Sequence, residues 1–221
     1  MQTKVITSIV GDGRDWLHTP MPEDNVEFVA YTNQFAPHWT IKSPCDIFSE
    51  PKKNAKIHKI LLHKYEDCDY SIWIDGNVNL LQPVNKIIAD LLGDNDLAIT
   101  QHPNRNNLFE EAEHIKIKKV EYPHIVDRQL ERYRNQKEEI IQENKLYFAT
   151  VLIRKHSKKI NRFNDAWWAE ICTNSFRDQI SLPYVLRQFS DLKINTFNLE
   201  TMNRYFHRKD HPRITYGNNE I

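Results

Sequence analysis

The chain has 221 residues, 40% hydrophobic and 27% charged, enough for one well-buried core or at most two tightly fused lobes. Lysine plus arginine and aspartate plus glutamate number 30 each, so no global field draws the chain to nucleic acid or an anionic membrane, and any anion site must be local. No apolar stretch approaches the roughly 18 residues that cross a bilayer, Met1 to Val10 carries no cleavage signal, and Cys45, Cys68 and Cys172 fit neither a disulfide framework nor a zinc site; a soluble, cytoplasmic chain with reduced thiols is expected.

In chain order, Lys4 to Val10 is a β-branched run that stops at Gly11-Asp12-Gly13, the pattern of a buried strand and a tight turn. A second strand is predicted over Val26 to Thr32, leading to Asn33, with a short extended piece at Trp39 to Ile41. Lys53 to Tyr65 spaces Ile57, Ile60, Leu61 and Lys64 as a helix. Tyr70 to Ile74 is an apolar strand that ends at Asp75-Gly76-Asn77, after which Val78 to Leu81 is extended. Pro83 opens a helix through Leu92, and Leu97 to Thr100 is another strand. Charged helices are predicted at Leu108 to Lys119 and Ile125 to Ile141, split by Pro123.

The second half brings a long apolar strand at Leu146 to Arg154, helices at Ile160 to Cys172 and Gln179 to Phe189, a strand at Lys193 to Phe197, and a polar, extended tail from Asn203. Arg154 to Lys159, with Arg162, is the densest basic run; it lacks the interleaved aromatics of a nucleic-acid module and reads as a solvated turn. Alternating strands and helices predict a layered α/β sheet in a single domain spanning residues 1–221.

Asp75-Gly76-Asn77 sits at a strand's carboxyl end, where open α/β sheets bind ligands. A carboxylate followed by a close-approach glycine and a side-chain carbonyl supplies oxygen ligands for a hard cation; the competing reading is a plain turn. Lys56, Lys59 and His63 follow i, i+3, i+7 spacing and point at a phosphate or form a solvated helix surface.

The segment Tyr70 to Asn77 resembles the acidic donor motif of GT-A glycosyltransferases. More narrowly, the chain resembles the TOD1/MUCI70-like glycosyltransferase family, through Thr7 to Gly11 with Arg14-Asp15, Phe28 to Asn33 with Trp39, Asn54-Ala55-Lys56 with Lys59 to His63, Trp73 to Gly76, His102 with Arg105, Phe109 to Ala112, and Trp168 leading to Ser175 to Ser181. The sequence departs from the pattern at Asn77, where a second acid is usual, and at Tyr31-Thr32-Asn33, where the family carries Phe-Thr-Asp.

The resemblance implies a GT-A-type, Rossmann-like, mostly parallel sheet, with residues 1–105 holding the donor and 106–221 the acceptor. It implies a nucleotide-diphosphate sugar donor, a UDP-sugar above all, and a saccharide acceptor. Donor contacts fall to Thr32, Asn33, Lys56, Lys59, His63, Asp75, Gly76, Arg105 and Glu111. Mn²⁺ or Mg²⁺ would be held by Asp75 and Asn77 with a late histidine, His207 or His211; a metal-independent enzyme would neutralise the diphosphate with lysine and arginine instead. Asp178 and Gln179 face the reacting sugar, Asp178 holding hydroxyls or acting as a base.

Each assignment has a plainer competitor: one of Glu110 and Glu111 complements a helix dipole, Ser175 or Asp178 caps a helix, paired tryptophans are core, and both histidines are tail residues. Two other functions compete. A non-catalytic carbohydrate-binding module would keep the fold without turnover, and a nucleotidyltransferase would need a stronger phosphate loop than Gly11-Asp12-Gly13-Arg14.

Overall fold

The computed structural model describes residues 2–11, 17–136 and 145–210. The elements run β1 (Thr3–Ile9), β2 (Val26–Thr32), β3 (Thr40–Lys42), α1 (Pro51–Ile60), β4 (Tyr70–Ile74), β5 (Val78–Leu80), α2 (Val84–Ile87), β6 (Leu97–Gln101), α3 (Leu108–Ile117) and α4 (Pro123–Gln136). They continue with β7 (Tyr147–Lys155), α5 (Lys158–Thr173), α6 (Asp178–Leu186), β8 (Ile194–Phe197), α7 (Leu199–Tyr205) and β9 (Phe206–Arg208).

One mixed sheet takes the order β3-β2-β1-β4-β7-β6-β8, and a small second sheet pairs β5 with β9. Within the large sheet β7 runs antiparallel to both its neighbours, and the other neighbouring pairs are parallel. The expected mostly parallel α/β sheet is thus observed.

Both faces of this sheet are covered, which is why its strands read as unbroken apolar runs rather than as alternating ones. On one face Ile6, Val29, Trp73, Ile99 and Leu152 pack with residues of α1 and α3 to α6. On the other, Val5, Phe28, Ile72, Ala98 and Val151 pack with Val84, Leu91, Met202 and Phe206. Side chains alternate between the two faces along the strands, apart from an irregularity in β7 where the pairing with β6 shifts register, so a slip of one residue would exchange the two cores.

Three expectations are corrected. The predicted helix to Tyr65 ends at Ile60, and a tighter turn over Leu62–Lys64 then drops Leu62 into the core. The polar tail from Asn203 is not extended at its start: Asn198 caps α7 by accepting from the Thr201 amide, and only then does β9 form. Arg154 is not part of a solvated turn; it is fully buried on β7, where its Nη1 donates to the Lys59 carbonyl at 2.9 Å. Among the described residues no helix is long and apolar enough to cross a membrane, and all three cysteines are free thiols.

Candidate active site

The carboxyl ends of β1 and β4 meet the amino end of the reversed strand β7, and the three open into a cleft of about 900 Å³. The first turns of α1 and α6 and the end of β9 complete its walls. Strand direction explains the convergence: parallel strands deliver their loops to one edge, and β7 brings Phe148, Ala149 and Thr150 to the same edge by running the other way.

Asp75 leaves β4 with its amide donating to the Thr150 carbonyl at 3.0 Å and its carbonyl accepting from the Val78 amide at 2.9 Å. Asp75-Gly76-Asn77 is therefore a turn, and also part of the site. The backbone closes the turn while the carboxylate, 40% exposed, lines the cleft beside Gly76 and Asn77. Trp73 Nε1 donates to Asp75 Oδ1 at 2.9 Å, and Lys59 Nζ lies 3.7 Å from the same oxygen.

The i, i+3 spacing of Lys56 and Lys59 turns both from α1 toward the start of α6. There Asp178 Oδ1 takes Lys56 Nζ at 2.9 Å and Asp178 Oδ2 takes Lys59 Nζ at 2.7 Å. Burial disfavours the Asp178 charge, but the two ammonium groups override it and hold the carboxyl far below the ordinary carboxylate range. Burial likewise lowers Lys56, to about 8, with Asp178 offsetting part of the loss. For Lys59 the Asp178 and Asp75 charges outweigh burial, so its pKa rises.

Asp178 does not cap α6. Arg177 is the cap residue and supplies no side-chain cap, while its Nη2 donates to Gln179 Oε1 at 3.0 Å; both side chains line the cleft.

Other predicted residues lie elsewhere. Arg105 pairs with buried Glu111 and with His102, one layer behind Arg177, whose Nη2 stands 3.9 Å from Glu111 Oε1. Glu110, by contrast, accepts from the Asn106 amide ahead of α3. The shared face predicted for Lys56, Lys59 and His63 breaks at the end of α1, and His63 pairs instead with Asp165 at 3.1 Å. Thr32 is buried at the end of β2, and Asn33 is exposed beyond it. Glu170 is held by Arg132, Tyr133 and Asn174, away from the cleft. Trp167 is buried on Ser181, and Trp168 packs edge-on to Phe48 with ring centroids 6.0 Å apart. None of these residues lines the cleft.

The terminal segment does reach the site, through a different residue. Pairing of β5 with β9 sets Arg208 opposite Val78 and His207 opposite Asn79. His207 is exposed and stays off the cleft, while Arg208 lines it with its guanidinium 5.2 Å from the centre of the Phe148 ring. In the sequence Arg208 is one of two cations between His207 and His211, with no local pattern to mark it. His211 lies outside the described residues.

Residues 27–211 match the family described as TOD1/MUCI70, glycosyltransferase-like domain. The chain belongs to this family. It is similar to "Probable hexosyltransferase MUCI70" of Arabidopsis thaliana, 29% identical over 147 residues, covering 62% of this chain. The chain spans about a quarter of that relative's length. Among solved structures it is similar to the bifunctional glycosyltransferase WbbM in its apo form, with TM-score 0.48, 11% identity, and coverage of 89% of this chain and 38% of that one. It is also similar to the galactosyltransferase LgtC in complex with donor and acceptor sugar analogues, with TM-score 0.43, 14% identity, and coverage of 90% and 73%.

Of the ligands expected for a divalent cation, Asp75 Oδ2 and the Asn77 side-chain oxygen are the two left without a protein partner among the described residues, a poor donor set for such an ion. Asp75 Oδ1 already accepts from Trp73 and faces Lys59, and both Asp178 oxygens hold lysines. Asn77 Nδ2 donates to the Lys209 carbonyl at 2.7 Å, fixing that amide as a clasp for β9. Among the described residues no three histidine, cysteine or acidic side chains converge as metal ligands. Cations dominate instead: Lys52, Lys56, Lys59, Arg177 and Arg208 line the cleft against Glu50, Asp75 and Asp178.

Proposed function

We propose that this chain is a glycosyltransferase that binds a nucleotide-diphosphate sugar, most simply a UDP-sugar, in the cleft and transfers its glycosyl group to a saccharide hydroxyl during glycan or polysaccharide assembly. The observation that carries the reading is the convergence of Asp75, Lys59 and Asp178 in one cleft at the sheet's carboxyl edge, built from segments 119 residues apart. Family membership supports the chemistry, and the cationic lining supports a diphosphate.

In this reading residues 1–105 contribute Lys56, Lys59 and Asp75 to the donor, and residues 106–221 contribute Arg177, Asp178, Gln179 and Arg208. Asp75 Oδ2, which has no protein partner among the described residues, binds a donor hydroxyl, while Oδ1 keeps Lys59 beside the diphosphate. Asp178 fixes the two lysines; with both oxygens engaged it is a poor base. As the anomeric carbon–oxygen bond breaks, its electron pair leaves on the nucleoside diphosphate. The acceptor oxygen bonds to the anomeric carbon, and its proton departs on the released diphosphate. Preorganised cations aimed at that developing charge supply the main stabilisation.

Incubating the chain with nucleotide sugars and measuring released nucleoside diphosphate tests the reading. Activity that falls about 100-fold or more in Asp75→Ala, with an unchanged melting temperature, is expected. Full activity in that variant would overturn the role of Asp75, and a donor bound without turnover would indicate a carbohydrate-binding module on the same fold.

A further inference from the structure

The cations of the cleft have a consequence for what the protein requires. Among the described residues five of its ionisable side chains are basic and three are acidic, an excess of two positive charges. That excess equals the charge of the ionised diphosphate in a nucleotide sugar. Asp178 is shared between Lys56 and Lys59, and Lys59 also faces Asp75. Arg208 is different, with no carboxylate partner among the described residues.

Arg208 is also fixed in place. Asn77 clasps the neighbouring Lys209 from both sides, its Nδ2 donating to the Lys209 carbonyl at 2.7 Å and its carbonyl accepting from the Lys209 amide at 2.9 Å. The guanidinium meanwhile rests against the Phe148 ring. The backbone that carries this exposed side chain is thus held at the cleft, and its fork suits a bidentate contact with phosphate oxygens. Across the cleft, α6 opens without a side-chain cap, so the positive end of its dipole adds to the same field, and the buried Arg177 Nε lacks a hydrogen-bond partner.

We propose, resting on the glycosyltransferase reading, that the cleft holds the donor's diphosphate with its own cations, Lys59 and Arg208 foremost, and needs no divalent metal to do so. A divalent ion at Asp75 would share one carboxylate with the Lys59 ammonium and join five side-chain cations. The asparagine in the motif's second acidic position serves instead as the clasp that presents Arg208.

Calorimetric titration of the whole chain with UDP, first in EDTA and then with excess Mn²⁺, tests this. Affinities agreeing within about threefold are expected, with Arg208→Gln weakening both by about tenfold or more and Arg208→Lys recovering part of the loss. Binding seen only with Mn²⁺, or unaffected by Arg208→Gln, would overturn the proposal and leave the glycosyltransferase reading standing. If neither UDP nor any of the other common nucleoside diphosphates binds under either condition, the reading falls and the proposal with it.

Discussion

Lys59 and Asp178 are 119 residues apart in the chain and 2.7 Å apart in space. Their contact, with Lys56 on the second carboxylate oxygen, joins α1 to α6 across the cleft. The same three groups therefore form a structural clasp and line the cleft. Such a clasp tolerates loss of Asp178 poorly, because two buried ammonium groups are then left with only the more distant Asp75 beside Lys59.

Asp178→Asn is expected to lower stability by roughly 3 kcal/mol, measured by urea unfolding, since two lysines lose their counter-ion together. Adding Lys56→Met should restore part of that stability by removing one uncompensated ammonium. A double variant no more stable than Asp178→Asn would show that the lysines do not share the carboxylate energetically.

Asn77→Asp would rebuild an acid at the second position of the motif, yet it is expected to weaken the protein. A carboxylate cannot donate to the Lys209 carbonyl, so the clasp on β9 becomes a repulsion costing about 1 to 3 kcal/mol. Faster amide exchange across β9 and weaker UDP binding in EDTA are the expected readouts. Unchanged exchange at Arg208 and Lys209 would contradict the clasp.

Much of the sheet was legible because fully covered strands are written as apolar runs, and β1, β2, β4 and β7 emerge from the sequence near their observed limits. A polar triplet interrupting such a run at a strand end marked Asp75 as a turn or a ligand site, and the family resemblance chose the second. Helical spacing put Lys56, Lys59 and His63 on one face but left a solvated surface equally open, and only the family resemblance favoured function for the two lysines; His63 departs because α1 stops at Ile60 and the face turns with it. The pairing of Arg105 with Glu111 was open to local reasoning, but its withdrawal behind Arg177 depends on how α3 meets α6. Arg208 depends on a three-residue strand whose partner lies 130 residues earlier, and no local pattern encodes that pairing.

Four histidines make the fold acid-sensitive. Burial, the largest cause in each, pushes His18, His58, His102 and His156 from the ordinary 6.5 to about 4. His58 Nε2 accepts from the Cys45 amide, and His102 Nδ1 accepts from the Asn104 and Arg105 amides, bonds that require unprotonated nitrogens. Between pH 4 and 6.5 the unfolded chain holds more protons than the folded one, so stability is complete above 6.5 and declines as pH falls toward 4. A loss of up to about 3 kcal/mol for each histidine is expected over that window, ahead of the carboxylates Asp178 and Glu66, whose depressed pKa values defer their contribution to lower pH. Melting temperatures recorded against pH should flatten in His58→Gln and His102→Gln; a parallel decline in those variants would locate the acid sensitivity elsewhere.

Lys56 should set the alkaline limit of donor binding. Burial lowers it to about 8, and Lys59 and Arg177 add to that effect while Asp178 opposes it. A diphosphate binds the charged ammonium, so affinity is full below pH 8 and falls by about tenfold for each unit above it, until a bound complex without this contact takes over. Linkage adds a second signature: near pH 8 binding draws a proton onto Lys56, so the calorimetric heat depends on the buffer's ionisation enthalpy. Lys56→Arg, charged at every accessible pH, should bind with a flat profile and no proton uptake. Lys56→Met should be flat and weaker throughout. A wild-type profile that stays level to pH 9.5, with no buffer dependence, would remove Lys56 from the diphosphate site and leave it solely as the partner of Asp178.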